Sequence, residues 1–267
     1  LISARLASPG GVIVTDSVLG WRNNPGYADA AHAINRMGAR STREYTDHPA
    51  TGKRRVLAYG DAYVYGAEVS TMEAWSTLIE EADPSVEVIN FGVGGYGSDQ
   101  ALLLYLRTGA SLAPEIVLMG FAPVDLRRAV TRYTRFFSTD EPPMTKPRFV
   151  VDATGALVLL PNPMQSREEW ERLAADPLAV LALGPDDAWY DRIRYEHPLL
   201  DRSAAARLVI AGGLRVWRKY LWSGRLVEDG QFRPGSAAFA VQRAILKAFA
   251  DSVRARGATA VEFALLA

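Results

Sequence analysis

The sequence predicts an α/β domain built on a parallel sheet with helices on both faces. Val56–Tyr59, Val86–Asn90 and Ile116–Met119 are compact apolar runs; Gly60, Gly92 and Gly120 close them, and helix-like stretches lie between them. Short apolar runs ended by glycine turns are the pattern of strands buried on both faces. Repeats of strand, turn and helix require right-handed crossovers and so parallel neighbours. With 267 residues, 49% of them hydrophobic, the chain can bury one large core, and α/β chains of this length form one domain.

Taken in order, residues 1–50 read as an irregular N-terminal arm packed on a domain that occupies 51–267. Pro9-Gly10-Gly11, Asn23-Asn24-Pro25-Gly26 and His48-Pro49 are turn signals between short apolar stretches. Met72–Glu81 reads as the helix after the first strand, with Trp75, Leu78 and Ile79 on one side. The second strand runs into Phe91-Gly-Val-Gly-Gly-Tyr-Gly97, where missing Cβ atoms let a ligand approach the backbone. Ser98 is placed to cap a leucine-rich helix over Asp99–Thr108, which Gly109 stops.

An insertion at about 126–235 then changes the rhythm. Phe149–Asp152 and Ala156–Leu160 flank a glycine turn and read as a β-hairpin laid on the sheet. Ser166-Arg-Glu-Glu169 has capping-box spacing and starts a helix. Ser203–Trp222 reads as helical despite Gly212-Gly213, and His48 and His197 precede prolines and read as loop residues. Over Ser236–Arg256, Val241, Ile245, Phe249 and Val253 recur every four residues and define a long helix, followed by a buried strand at Thr259–Leu266.

Thirty basic residues balance thirty acidic ones, so no global field favours nucleic acid, a membrane surface or a polyanion, and a charged ligand has to be recognised locally. The chain has no cysteine, which excludes disulfides, thiolate metal sites and a cysteine nucleophile but leaves the compartment open. No run approaches the roughly 18 apolar residues of a spanning helix. The first residue is Leu1, so an upstream segment, a signal or a membrane anchor, is expected to have been removed.

Ligands of α/β sheets sit outside the carboxyl ends of the strands. Three such ends are marked here: Gly60-Asp61-Ala62, Asn90–Gly97 and Gly120–Asp125. Strand-Gly-Asp-Ser, strand-Asn-x-x-x-x-Gly and strand-Gly-x-Asn-Asp, in that order, are the first three blocks of the SGNH or GDSL hydrolases. The chain resembles that family over residues 33–160, and Ile34-Asn-Arg-Met-Gly38 and Lys146-Pro-Arg-Phe149 are similar to features of its bacterial members. The resemblance implies a three-layer flavodoxin-like sandwich, no cofactor or metal, and a small-molecule or carbohydrate ester as ligand.

Carried over by residue, the family's nucleophile falls at Ala62, its oxyanion-hole glycine at Gly95, and its oxyanion-hole asparagine near Val124, just before Asp125. Alanine cannot attack a carbonyl and valine cannot donate to an oxyanion, whereas the N–H groups of Ala62 and Gly95 still can. The family's closing Asp-x-x-His block would lie beyond Ala267, so the domain is expected to be C-terminally truncated. The same spacing occurs at Asp29-Ala-Ala-His32, either an acid/base pair that the arm brings over the crevice or a polar stretch of surface. Arg127, Arg128, Arg132 and Arg135 follow the third strand, and the last three are expected on one helical face, as a clamp for an anion or as a solvated surface. Tyr63, Tyr65 and Tyr96 either line an apolar pocket or pack in the core. Asp61 and Asp125 read as acceptors that hold their loops, and Asp99 as a charge suited to a helix start.

Two functions compete. One is an O-acyl esterase scaffold, inactive as given because of Ala62. The other is a non-catalytic relative that binds a carbohydrate, an acylated ligand or a protein partner; a pocket repurposed around Asp61 or Asp125 is a third and lesser option.

Overall fold

The computed structural model describes residues 10–138, 141–190 and 231–264, with isolated positions between 192 and 228. The expected helix at 203–222 and the residues 265 and 266 of the last strand therefore lie outside the described residues. The arm opens with an antiparallel hairpin, β1 (Ile13–Asp16) and β2 (Gly20–Asn23). The central sheet then draws on β3 (Arg54–Tyr59), β4 (Val86–Asn90), β5 (Ile116–Phe121) and, after two separate pairs, β10 (Thr259–Ala264). Those pairs are antiparallel: β6 (Arg148–Val151) with β7 (Leu157–Leu160), and β8 (Val227–Glu228) with β9 (Gln231–Phe232).

The central sheet is parallel throughout, in the order β10-β5-β3-β4. Chain direction reverses between β3 and β5, because β3 connects outward to β4 and the chain then returns across it. A reversal of this kind opens a crevice at the carboxyl ends of the two strands. Leu57, Ala58, Tyr59, Ile89, Val117 and Met119 are fully buried in the sheet, where each large side chain contributes about 1.5–3 kcal/mol. Helix α1 (Ala62–Tyr65) follows β3, α2 (Trp75–Ala82) packs on β4, and α3 (Ser98–Thr108) follows the glycine loop. After β5 come α4 (Pro123–Arg128), α5 (Thr134–Phe137) and α6 (Arg167–Ala175). The long α7 (Ala237–Arg254) buries Val241, Ile245, Phe249 and Val253 against α3 and β10.

Several expectations need correction. Helix α2 does not turn Leu78 and Ile79 inward: they are 50% and 42% exposed, while Ser76 is buried. Polar chemistry sets this rotation. Ser76 Oγ accepts from Asn90 (3.4 Å), and Glu80 accepts from the Val88 N–H at 2.8 Å, so the helix offers β4 hydrogen-bond partners and closes its outer edge. Helix α3 starts at Ser98 with Gly97 as its cap, and the hydroxyl of Ser98 instead accepts from Gln242 at 2.8 Å. The β6–β7 hairpin is not joined to the central sheet and packs on α7. Strand β10 forms, but Val261 is 39% exposed, so it is half-open at the sheet edge of the described residues. Arg128, Arg132 and Arg135 share no face, because α4 ends at Arg128 and the chain turns before α5.

The described part of the arm is bonded to the body at several points. Arg40, 1% exposed, donates to the carbonyls of Tyr65, Gly66 and Val69, places its positive charge at the end of α1, and lies 4.4 Å over the Tyr65 ring. Arg55 pairs with Glu87 at 2.8 Å and donates to the carbonyls of Thr46, Asp47 and Leu112. Asn162 Nδ2 reaches back to the carbonyl of Ser17 at 3.2 Å.

The insertion is held by a third buried cation. Lys146 pairs with Asp99, both side chains wholly enclosed, and also donates to the carbonyls of Arg128 (2.9 Å), Thr131 (3.3 Å) and Pro147 (3.0 Å). Burial pushes the ammonium down and the Asp99 carboxyl up, and each charge restrains the shift of the other. Lys146→Met, which leaves Asp99 buried alone, is expected to lower unfolding stability in urea by about 3–5 kcal/mol. Adding Asp99→Leu is expected to restore most of the loss; a double variant as weak as the single one would show that the pair does not act as a unit.

Candidate functional site

The three strand-end loops meet at the switch point. Gly60 accepts from the Val93 N–H at 3.0 Å, joining the first loop to the second. A Cβ on Gly60 would lie 2.6 Å from the Gly120 carbonyl oxygen, so the first and third loops touch there, and the glycine has a positive φ of 156°. Asn90 completes the junction: its Nδ2 donates to the Val64 carbonyl at 2.8 Å and its Oδ1 accepts from the Gly92 N–H at 2.9 Å. Gly92 has no room for a side chain, since a Cβ would stand 2.3 Å from the Tyr65 nitrogen.

Arg128 is the electrostatic centre. Its Nη1 donates to Asp61 (3.4 Å), to Asp125 (3.2 Å) and to the Tyr96 carbonyl (3.3 Å), and its Nη2 donates to Glu141 (3.2 Å). Asp61 caps α1 by accepting from the Tyr63 N–H at 2.9 Å, and Asp125 accepts from the Ala122 N–H at 2.8 Å. Both aspartates are 1% exposed. Burial raises the Asp61 carboxyl, against the Tyr63 N–H and the guanidinium. Burial, reinforced by the charge of Asp61, pushes Asp125 up to about 7. For Arg128 burial opposes the charge, but Asp125, Glu141 and Asp61 outweigh it and hold the proton more tightly than usual. The three carboxylates thus stay together only because one guanidinium lies among them.

The remaining candidates divide. Ala62 opens α1 directly after Asp61, and Tyr63 beside it is 53% exposed. Val124 lies in α4, partly buried against the core. Gly95 has φ +79° and lies beneath Trp21, whose ring carbon would be 3.5 Å from an added Cβ. The indole of Trp21 donates to the Gly94 carbonyl at 2.9 Å, so the glycine loop receives the arm as its close neighbour. Tyr96 is fully buried and donates to the Trp21 carbonyl at 2.6 Å; it braces the arm and offers no surface to a ligand, contrary to the pocket expectation. The carbonyl of Arg127 accepts from the Trp189 indole at 3.0 Å.

Asp29 and His32 do not act as a pair. Asp29 accepts from the N–H groups of Ala31 and His32 and from the Tyr27 hydroxyl, at 2.7–2.8 Å. The hydroxyl first, and then the two N–H groups, hold its carboxyl down at about 2. The His32 Nδ1 instead lies 3.2 Å from the Tyr65 hydroxyl, so the arm does bring this imidazole to α1, three residues along from Ala62. Among the described residues no group of three or more His, Asp or Glu side chains is placed to hold a metal ion, and no helix is long and apolar enough to cross a membrane. Sequence reasoning missed Arg40, Arg55 and Glu141 as organising charges; nothing in their local patterns separates them from solvated surface.

No protein-family model and no curated protein matches the chain. Among solved structures it is similar to AlinE4, an SGNH-hydrolase family esterase, at 24% identity and TM-score 0.27 over 30% of this chain and 46% of that one. A protein assigned to the G-D-S-L lipolytic family from Desulfitobacterium hafniense gives 23% identity and TM-score 0.24, over 29% and 44%. The enzyme LAE5, an alpha/beta hydrolase from the metagenome of Lake Arreo in Spain, gives 15% identity and TM-score 0.24, over 75% and 96%. The chain spans just under half the length of the first two, and overlaps of this extent do not carry an activity across.

Asp125 makes stability depend on pH. A carboxyl whose folded pKa of about 7 exceeds its unfolded value adds stability at low pH and loses it as pH rises toward 7. Asp125→Asn, which keeps an acceptor for the Ala122 N–H, is expected to flatten the fall in melting temperature between pH 4 and 7 by several degrees, on the scale of about 2–4 °C per kcal/mol. Asp187, which burial pushes up to about 6, has the same sign, so part of the slope remains. An unchanged slope would place the Asp125 proton elsewhere.

Proposed function

We propose that the chain is built on the SGNH/GDSL esterase scaffold, a three-layer flavodoxin-like sandwich, and that its strand-end crevice binds a carbohydrate or acylated ligand without cleaving it. The turn after β3 carries this reading. The position that matches the family's serine is Ala62, and the carboxylates beside it, Asp61 and Asp125, are both taken up by Arg128. A methyl group has no lone pair with which to attack an ester, and without a hydroxyl at position 62 the buried carboxylates have no nucleophile to activate. Val124 has no donor where the resemblance puts an asparagine, and His32 is turned to a tyrosine hydroxyl and not to the Asp29 carboxylate. The backbone N–H groups of Ala62 and Gly95 then serve as donors to a ligand carbonyl or anion, with exposed Tyr63 as an adjacent contact.

A second reading is an esterase whose serine has been exchanged for alanine. It is favoured by the Asn90 side chain, which still locks the glycine loop to α1. Ala62→Ser in the full-length protein separates the two, with p-nitrophenyl acetate as substrate. Turnover indistinguishable from the alanine form is expected. A rise of about 100-fold or more, the scale that a positioned base gives a nucleophile, would make the protein an esterase disabled at one atom.

A further inference from the structure

On the arm side of the loop after β4, the arm and the body form a half-open pocket of about 340 Å³ that shares Phe91 and Val93 with that loop. Its walls include Arg22, Asn23 and Arg36 of the arm, Val93 after β4 and Arg107 in the last turn of α3, and none of its lining residues comes from 60–66 or 120–128. This volume is near the lower end of small-molecule sites, roughly 300–1,000 Å³. It suits a small molecule.

The walls carry excess positive charge. Asp16 is the only acidic residue lining the cavity, and it accepts from both Arg22 (3.3 Å) and Arg107 (2.9 Å). Arg36 adds a third guanidinium; its backbone N–H is bonded to Glu44, and its side chain has no acceptor among the described residues. Asn23 fixes the inner wall of the pocket. It is 2% exposed, and its Nδ2 donates to the carbonyls of Gly38 (3.1 Å) and Gly92 (3.0 Å). Two carbonyl partners identify the amide nitrogen, so the buried atom left without a partner is the oxygen, an acceptor that lacks a donor.

We propose that this pocket binds a small anion, its carboxylate or phosphate among Arg22, Arg36 and Arg107. The site does not use Ala62, and the outcome of the Ala62→Ser assay leaves it untouched.

Calorimetric titration of the full-length protein with gluconate and with glucose 6-phosphate tests it, with glucose as the uncharged control. Binding of at least one anion is expected, at least about tenfold tighter than glucose and weakened by added salt. Binding of gluconate alone identifies a carboxylate site, and of the phosphate ester alone a phosphate site. Arg36→Gln, at an exposed position, is expected to weaken the bound anion about tenfold or more while the circular dichroism spectrum stays the same. The proposal is overturned if neither anion binds, if glucose binds equally well, or if Arg36→Gln leaves the affinity unchanged.

Discussion

An ammonium group with no access to water holds the two halves of this fold together. Lys146 comes from the start of the β6 region, Asp99 from the first turn of α3, and the carbonyls of Arg128 and Thr131 from the segment after α4. Removing such a charge from water costs several kcal/mol, and four acceptors around one ammonium offset that cost. The position of Arg128 depends on this arrangement. Its carbonyl is fixed by Lys146, while its guanidinium lies among Asp61, Asp125 and Glu141. The buried charges form a relay in which one cation fixes the backbone of the next.

The same economy of charge shapes the arm. Arg40 and Arg55 are fully buried, and each donates to three backbone carbonyls. A guanidinium suits this task because its planar fork presents several donors at fixed angles. The arm therefore acts as part of the body: Arg40 ends α1, Trp21 covers the glycine loop, and Tyr96 and Gln100 return hydrogen bonds to the arm's own carbonyls. A chain with no net charge thus places its cations where the backbone needs them, and at the strand-end crevice Arg128 offsets the charges of Asp61, Asp125 and Glu141.

The sheet was legible because burial on two faces leaves a simple record: an apolar run, then glycine. Strands β3, β4 and β5 and helix α7 follow from that record and from spacing alone. Rotation of α2 was not legible, because hydrogen bonding by Ser76 and Glu80 outweighed the transfer of Leu78 and Ile79 from water. The glycine loop read as space for a ligand, but flexibility at Gly95 and Gly92 is used by Trp21 and by the backbone of Tyr65. The Asp29–His32 spacing was real and its chemistry was not, since a carboxylate two or three residues before free N–H groups closes a local turn first. Pairings such as Lys146 with Asp99 join residues far apart in the chain, and no local pattern in either segment announces them.

The bond from Asn162 to the Ser17 carbonyl spans 145 residues of chain. A ribosome that adds about 5–20 residues per second therefore exposes the β1–β2 hairpin for roughly ten seconds before its partner emerges. For the first half of that interval Trp21 and Leu19, both destined for the core, also wait for the glycine loop and Gln100 that will bond them. The hairpin is thus a natural client for whatever chaperone meets the nascent chain.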